Sequence, residues 1–210
     1  ITVITGYKGR EMKAEGITFQ ENKNHKRDSE LHSLMEARKK MTTGFIMLYS
    51  DILFEDNIMS KILTCQEDIV LVVDNTMQYH APEANKIQDF IISKNIHLTT
   101  RRKINFACEN IVSKIGSKLN TETATHEFIG LAKFTKTGAE QLLQTYEDCI
   151  KNYHGKLQEA DSINQFKFTD LIQEMIDRGY VVNFLEIHKG WLEIHSTEDI
   201  ELANHFLSKS

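Results

Sequence analysis

Gly44-Phe45-Ile46-Met47-Leu48-Tyr49-Ser50-Asp51-Ile52-Leu53-Phe54 is the stretch on which the reading of the chain turns. Phe45 to Tyr49 form an apolar run with no solvated face, which predicts a strand buried on both sides. Gly44 ends the segment before it, in which Leu31, Leu34, Met35, Arg38 and Met41 recur at helical spacing. A second run, Asp68-Ile69-Val70-Leu71-Val72-Val73-Asp74, follows a short helical pattern of Ile58, Met59, Ile62 and Leu63. Strand, helix, strand with continuous apolar strands is the pattern of an α/β protein whose parallel sheet is covered on both faces. Asp51 then falls just beyond the carboxyl end of a buried strand, where open α/β sheets bind their ligands.

Toward the N-terminus, Ile1 to Thr5 is a β-branched opening strand, Gly6-Tyr7-Lys8-Gly9 a turn, Ile17 to Gln20 a second short strand, and Glu21 to Glu30 a polar loop. Toward the C-terminus, Phe128 to Phe134 returns to strand character. Ala139, Leu142, Leu143, Tyr146, Cys149, Ile150 and Tyr153 trace one face of a long helix, and Leu171, Ile172, Met175 and Ile176 mark another ending near Gly179. Tyr180 to Ile187 and Trp191 to Ile194 are the last expected strands, and Ser196-x-x-Asp199 has the form of a capping box for a final helix. Residues 75–125 are more polar, with short strands expected at Asp89 to Ser93 and Asn110 to Ile115; they read as an inserted antiparallel lid within a single domain of residues 1–210.

Composition limits the classes. The 210 residues suffice to bury a core without disulfide or metal staples, and 40% hydrophobic with 26% charged residues and one proline, Pro82, excludes a disordered chain. A net charge of -5 supplies no basic field, so neither nucleic acid nor an acidic membrane is an expected partner. Cys65, Cys108 and Cys149 stand far apart with no C-x-x-C pair, which fits a reducing, cytoplasmic setting. No apolar run approaches the ~20 residues of a membrane span, and no signal-peptide order opens the chain. The β-branched start without an initiator methionine reads as a strand entered midway, so further sequence is expected upstream. The sequence contains no P-loop, G-x-G-x-x-G, H-E-x-x-H or G-x-S-x-G pattern.

Several polar residues could carry chemistry. Asp51 can hold a metal ion, although its position also suits a turn residue bonding its own backbone. Glu193, in Gly190-Trp191-Leu192-Glu193-Ile194-His195, lies on a strand face opposite Leu192 and Ile194, with His195 on its own side by alternation. Both are equally ordinary as solvated strand residues. Asp74 repeats the placement of Asp51 and also fits a turn, while Glu127 and Lys133 flank a strand and are candidates for contact with a charged substrate. His25-Lys26-Arg27 is a basic loop cluster of the kind that is commonly only solvated. Asp170 suits the positive end of its helix.

The segments Ile4-Thr5-Gly6-Tyr7-Lys8, Ser29-Glu30-Leu31-His32-Ser33-Leu34, Tyr49-Ser50-Asp51-Ile52-Leu53-Phe54, Glu127-Phe128-Ile129-Gly130-Leu131 and Trp191-Leu192-Glu193-Ile194 resemble, in this order, the nucleotidyltransferase family. The likeness covers almost the whole chain. It leans toward the cytidylyltransferase domains fused to, or encoded beside, phosphoenolpyruvate phosphomutases, and next toward phosphocholine cytidylyltransferases. The resemblance implies a Rossmann-like three-layer α/β fold, with a mixed, mostly parallel sheet and a small antiparallel lid. It implies Mg2+ on Asp51 and Glu193, a nucleotide base beside Ser33 and Leu34, and substrate contacts from Asp74, Glu127 and Lys133. CTP and a phosphonate, such as 2-aminoethylphosphonate, or a phosphocholine-like acceptor are the implied substrates, in a protein that can form a homo-oligomer. His195 stands where phosphocholine enzymes carry an aspartate, which favours the phosphonate branch. The family's Gly-rich phosphate loop, with its arginine and Pro-Lys, is not among these residues and is expected upstream; residues 1–210 alone are therefore expected to be inactive. Two rivals stay open at this point: a sugar-phosphate nucleotidyltransferase, and a non-catalytic nucleotide-binding module on the same fold.

Overall fold

The computed structural model describes residues 1–76, 88–94 and 110–207, the side chain of Phe206 excepted. Pro82, Cys108 and much of the expected lid lie outside the described residues. The chain divides into two compact units, Ile1–Phe45 with Thr135–Tyr180, and Ile46–Phe134 with Val181–Ser210.

In the first unit, β1 (Thr2–Thr5) and β2 (Thr18–Glu21) pair in parallel, Thr2 opposite Thr18 and Thr5 opposite Glu21. The helix α1 (Glu30–Glu36) is short, ending in a 3-10 turn over Arg38–Lys40. Its start is tied down by Ser29 Oγ, which donates to the Phe166 carbonyl at 2.5 Å, and by Glu30, which accepts from the Phe168 amide at 3.1 Å. The long helix expected around Tyr146 is α3 (Lys136–Asn152), capped by Thr135, whose hydroxyl accepts from the Gly138 amide. It packs along α4 (Phe168–Asp177), which buries Phe168, Leu171, Ile172 and Met175. Asp170 is 3% exposed and accepts from the amides of Lys167 and Glu159, each at 2.9 Å, so it caps α4 as its position foretold. Burial pushes its carboxyl up, and the two amides pull it back toward the charged form. Burial also pushes the Cys149 thiol up to about 11, which makes it an inert core group.

The second unit holds the sheet. In chain order its strands are β3 (Phe45–Leu48), β4 (Ile52–Phe54), β5 (Ile69–Asp74), β6 (Phe90–Ser93), β7 (Val112–Gly116), β8 (His126–Phe134), β9 (Asn183–Ile187) and β10 (Trp191–Glu193), with helices α2 (Asp56–Thr64) and α5 (Thr197–Leu207). The order across the main sheet is β7-β6-β8-β5-β9, with β3 also paired to β8. Every residue of β5 is buried, as expected of a run without alternation, whereas β3, expected to be covered on both sides for the same reason, buries only Met47 and leaves Leu48 46% exposed. One face of the sheet, with Val70, Val72, Ile129, Leu131 and Ile187, packs against Ile58 and Ile62 of α2 and Ile52 of β4. β5 and β9 run parallel, while β8 is antiparallel to β5. The two apolar runs read first in the sequence, β3 and β5, thus both pair with β8, a strand from much later in the chain. Described residues of the 75–125 segment form β6 and β7, which pair antiparallel, and β6 in turn pairs antiparallel with β8.

Candidate metal centre

Asp51 sits in the turn between β3 and β4, and two local features fix that turn. The Tyr49 amide donates to the Gly130 carbonyl at 2.9 Å, extending the pairing of β3 with β8. Gly130 has φ +80°, and a Cβ there would come within 2.4 Å of the Tyr49 ring. It lies where the register of β5 and β8 slips between Leu71 and Val73, so the glycine sits in a bulge that Tyr49 packs closely against. Beyond the turn, β4 pairs antiparallel with β10, Ile52 opposite Glu193, and the Ile194 amide donates to the Asp51 carbonyl at 2.7 Å. This ladder carries Glu193 to Asp51.

The ligand atoms of Asp51, Glu193 and His195 all lie within 4.8 Å of one another. His195 Nε2 is 2.8 Å from Glu193 Oε2. Asp51 and Glu193 are half-buried and His195 is exposed. Two carboxylates at this separation form an oxygen donor set that fits a divalent cation such as Mg2+, which takes few protein ligands and keeps water or phosphate oxygens as the rest. The alternation of the last strand, which put Glu193 and His195 on one side, is what brings the imidazole to the carboxylate.

The strand bearing Glu193 is anchored by Asp74. Asp74 is 3% exposed, and its Oδ2 accepts from Trp191 Nε1 at 2.7 Å and from the Thr76 hydroxyl at 2.8 Å. Its Oδ1 accepts from the amides of Thr76 at 2.9 Å and Lys189 at 3.3 Å. Lys189 and Gly190 both have positive φ, 63° and 83°, which turns the chain sharply between β9 and β10 and delivers the Trp191 indole to the carboxylate. The turn reading of Asp74 accounts for these bonds. Sequence reasoning missed Trp191, although it is the only tryptophan and lies two residues from Glu193 on the same face.

Of the three residues expected to contact substrate, two lie side by side and one lies apart. Asp74 is the register partner of Glu127, whereas Lys133 lies six residues further along β8, about 20 Å at ordinary strand rise. Lys133 Nζ instead donates to the Cys65 carbonyl at the carboxyl end of α2, where a cation meets the negative end of the helix dipole. Beside Asp74 is a second cluster that sequence reasoning missed. His126 Nε2 meets Glu186 Oε2 at 2.7 Å, His126 Nδ1 meets Thr125 Oγ1 at 2.9 Å, and His188 Nδ1 meets Asn75 Oδ1 at 2.8 Å. The hydrogen bond from His126 holds the Glu186 carboxyl below its ordinary value.

Ser33 and Leu34 lie in the first unit, both half-buried on α1. Ser33 Oγ accepts from Asn22 Nδ2 at 3.0 Å. Asn22 is 1% exposed; it also donates to Asp28 at 3.1 Å and accepts from the Asn24 amide at 2.8 Å, so one buried amide organises the loop that bears His25, Lys26 and Arg27. Lys26 and Arg27 are exposed, as solvated charges are.

No family model matches the chain. Over 160 residues it is 21% identical to the CTP:phosphoglutamine cytidylyltransferase of Campylobacter jejuni, a match covering 75% of this chain and 57% of that protein, so the shared part spans little more than half of the relative. The solved inositol-1-phosphate CTP transferase of T. maritima aligns with 98% of this chain and 74% of its own at a TM-score of 0.66 and 16% identity. The solved CTP:phosphocholine cytidylyltransferase of Streptococcus pneumoniae aligns with 99% of this chain and 78% of its own at a TM-score of 0.61 and 11% identity. The fold is that of the nucleotidyltransferases. The expectation of an α/β chain with a mixed central sheet is met in that fold, and identities this low carry the fold alone. Among the described residues no helix is long and apolar enough to cross a membrane.

Proposed function

We propose that this nucleotidyltransferase fold serves a magnesium-dependent cytidylyltransferase, which transfers CMP from CTP to a small phosphonate or a phosphocholine-like phosphate ester. The observation that carries the reading is the convergence of Asp51 and Glu193, from two distant parts of the sequence, at the turn just beyond the carboxyl end of β3. Likeness to proteins that use CTP, in sequence and in fold, supports the choice of nucleotide.

In this reading an acceptor oxygen forms a bond to the α-phosphorus of CTP while the bond from that phosphorus to pyrophosphate breaks. A bound Mg2+ supplies charge neutralisation at the α-phosphate and at the incoming oxygen. The protein contributes position. Asp51 and Glu193 would hold the cation, the β4–β10 ladder sets their separation, and the bond from Trp191 to Asp74 keeps the Glu193 strand in place. An acceptor that is already ionised needs no general base, and the described residues around Asp51 place none there other than His195. The phosphonate class is favoured by the resemblance alone, because an imidazole stands at residue 195 where phosphocholine enzymes carry an aspartate.

The test is pyrophosphate release by the complete gene product with CTP and Mg2+, using 2-aminoethylphosphonate, phosphocholine and a hexose 1-phosphate as acceptors. Asp51→Asn is expected to lower turnover by at least about a thousandfold with an unchanged circular dichroism spectrum, the order seen when charge stabilisation of a transition state is removed. Glu193→Gln is expected to do the same less severely. Undiminished turnover of Asp51→Asn at saturating Mg2+ removes Asp51 from the site, and turnover confined to the hexose phosphate replaces this reading with a sugar-phosphate one.

A further inference from the structure

We propose that His195 is a third protein ligand of the cation held by Asp51 and Glu193, and that it turns the site toward a transition-metal ion such as Mn2+ over Mg2+. The inference rests on the metal-site reading above. Around an octahedral ion with bonds of about 2.1 Å, adjacent ligand atoms stand about 3.0 Å apart and opposite ones about 4.2 Å. The 2.8 Å between His195 Nε2 and Glu193 Oε2 matches an adjacent pair. The outer limit of 4.8 Å among the three ligand atoms leaves only a small side-chain rotation before they enclose an ion.

The backbone beneath the imidazole is fixed on both sides. The Ile194 amide donates to the Asp51 carbonyl at 2.7 Å, and the His195 amide donates to Asp199 Oδ2 at 2.9 Å. Asp199 also accepts from the Ser196 amide at 2.8 Å, while its own amide donates to Ser196 Oγ at 3.2 Å, which is the capping box that starts α5. The residue that offers the imidazole is thus held between the β4–β10 ladder and a helix start. An exposed histidine whose only task was an ion pair with Glu193 would gain little from such support, because surface pairs contribute little. As a ligand it gains much, because a donor held in place loses little freedom when the ion enters.

The consequence lies in metal choice. Mg2+ favours oxygen donors and keeps much of its water, whereas imidazole nitrogen suits Mn2+ and the later first-row ions. Two carboxylates alone would leave the site a magnesium site; two carboxylates with His195 tilt it.

The experiment measures binding of the metals alone. Mn2+ is titrated by electron paramagnetic resonance, Mg2+ by competition, and the bound Mn2+ is examined by electron spin echo for coupling to an imidazole nitrogen. Wild type is expected to show that coupling. His195→Ala is expected to lose it, to bind Mn2+ about tenfold or more weakly, and to change Mg2+ binding by less than about threefold. His195→Asp is expected to tighten Mg2+ relative to Mn2+. Loss of Mn2+ binding in Asp51→Asn, together with no nitrogen coupling in wild type, overturns the ligand role of His195 and leaves the two-carboxylate site standing. Equal effects of His195→Ala on both ions overturn the selectivity. Unaltered Mn2+ binding in both Asp51→Asn and Glu193→Gln overturns the metal-site reading and this inference with it.

Discussion

Trp191→Phe isolates the support of the Glu193 strand, because it keeps an aromatic ring and removes a single N–H. In the native chain that N–H lies 2.7 Å from Asp74 Oδ2, on a carboxylate that is 3% exposed and already accepts from the Thr76 hydroxyl and from the amides of Thr76 and Lys189. A hydrogen bond to a charged acceptor contributes about 1.5–3 kcal/mol, and its loss at a buried carboxylate that retains three other donors should cost about 2 kcal/mol. For a chain of this length that is about 4–8 °C in Tm. Trp191 is the only tryptophan, so indole fluorescence vanishes with the substitution and unfolding is followed by far-ultraviolet circular dichroism. Because Glu193 lies two residues further on the same short strand, Mn2+ affinity should fall with stability. Asp74→Asn should cost more, since a carboxamide turns an NH2 group toward two of the donors the carboxylate now satisfies. A Trp191→Phe variant within about 0.5 kcal/mol of wild type, the range of ordinary surface substitutions, and with unchanged Mn2+ affinity would refute the anchoring role.

Gly130→Ala should destabilise the protein by about 2 kcal/mol or more, because it combines a left-handed backbone with a clash against the Tyr49 ring; denaturant titration measures it. Truncating Tyr49 to alanine in the same chain should remove the clash and leave the backbone strain, recovering only part of the loss. The Glu186 carboxyl is lowered below its ordinary 4.5, chiefly by the bond from His126, so it stabilises the fold above that value and the contribution disappears as pH falls through the lowered one. The stability gap between wild type and His126→Gln, measured by urea titration at a series of pH values, should therefore narrow on acidification below about 4.5; a gap that widens there contradicts the assignment. Asp199→Ala should cost about 1 kcal/mol through loss of the α5 cap, read by circular dichroism, and should weaken Mn2+ binding because the His195 amide loses its partner.

The parts legible in the sequence are those that local pattern determines. The buried run of β5 announced itself because a strand covered on both faces has no polar alternation, and the α5 capping box needed only residues three apart; the same pattern misled at β3, where Leu48 is left 46% exposed. The strand order was not local: that β8 pairs with both β3 and β5 depends on contacts across scores of residues, which no periodicity records. The partnership of Asp51 and Glu193 is of the same kind. Each looked like an ordinary turn or strand residue, and only the ordered resemblance to a known family joined them before the β4–β10 register did. Lys133 shows the limit in the other direction, since a charged residue flanking a strand carries no mark of whether it faces a ligand or a helix terminus.

The same long-range construction explains why the two carboxylates depend on different supports. Asp51 follows Tyr49, whose position requires the bulge at Gly130, so its placement is tied to β8. Glu193 follows Trp191, whose position requires Asp74 and the left-handed pair Lys189 and Gly190, so its placement is tied to β5 and to the turn after β9. Only the short ladder between β4 and β10, with the bond from Ile194 to Asp51 at its end, sets the distance between them. A centre built this way can lose ligand geometry without losing the fold, because either support can yield by a fraction of an ångström while the buried strands β5 and β8 stay packed. Metal affinity should for that reason be a more sensitive reporter than melting temperature for substitutions at Tyr49, Gly130, Asp74 and Trp191, and the supports of this site belong to its chemistry as much as the two carboxylates do.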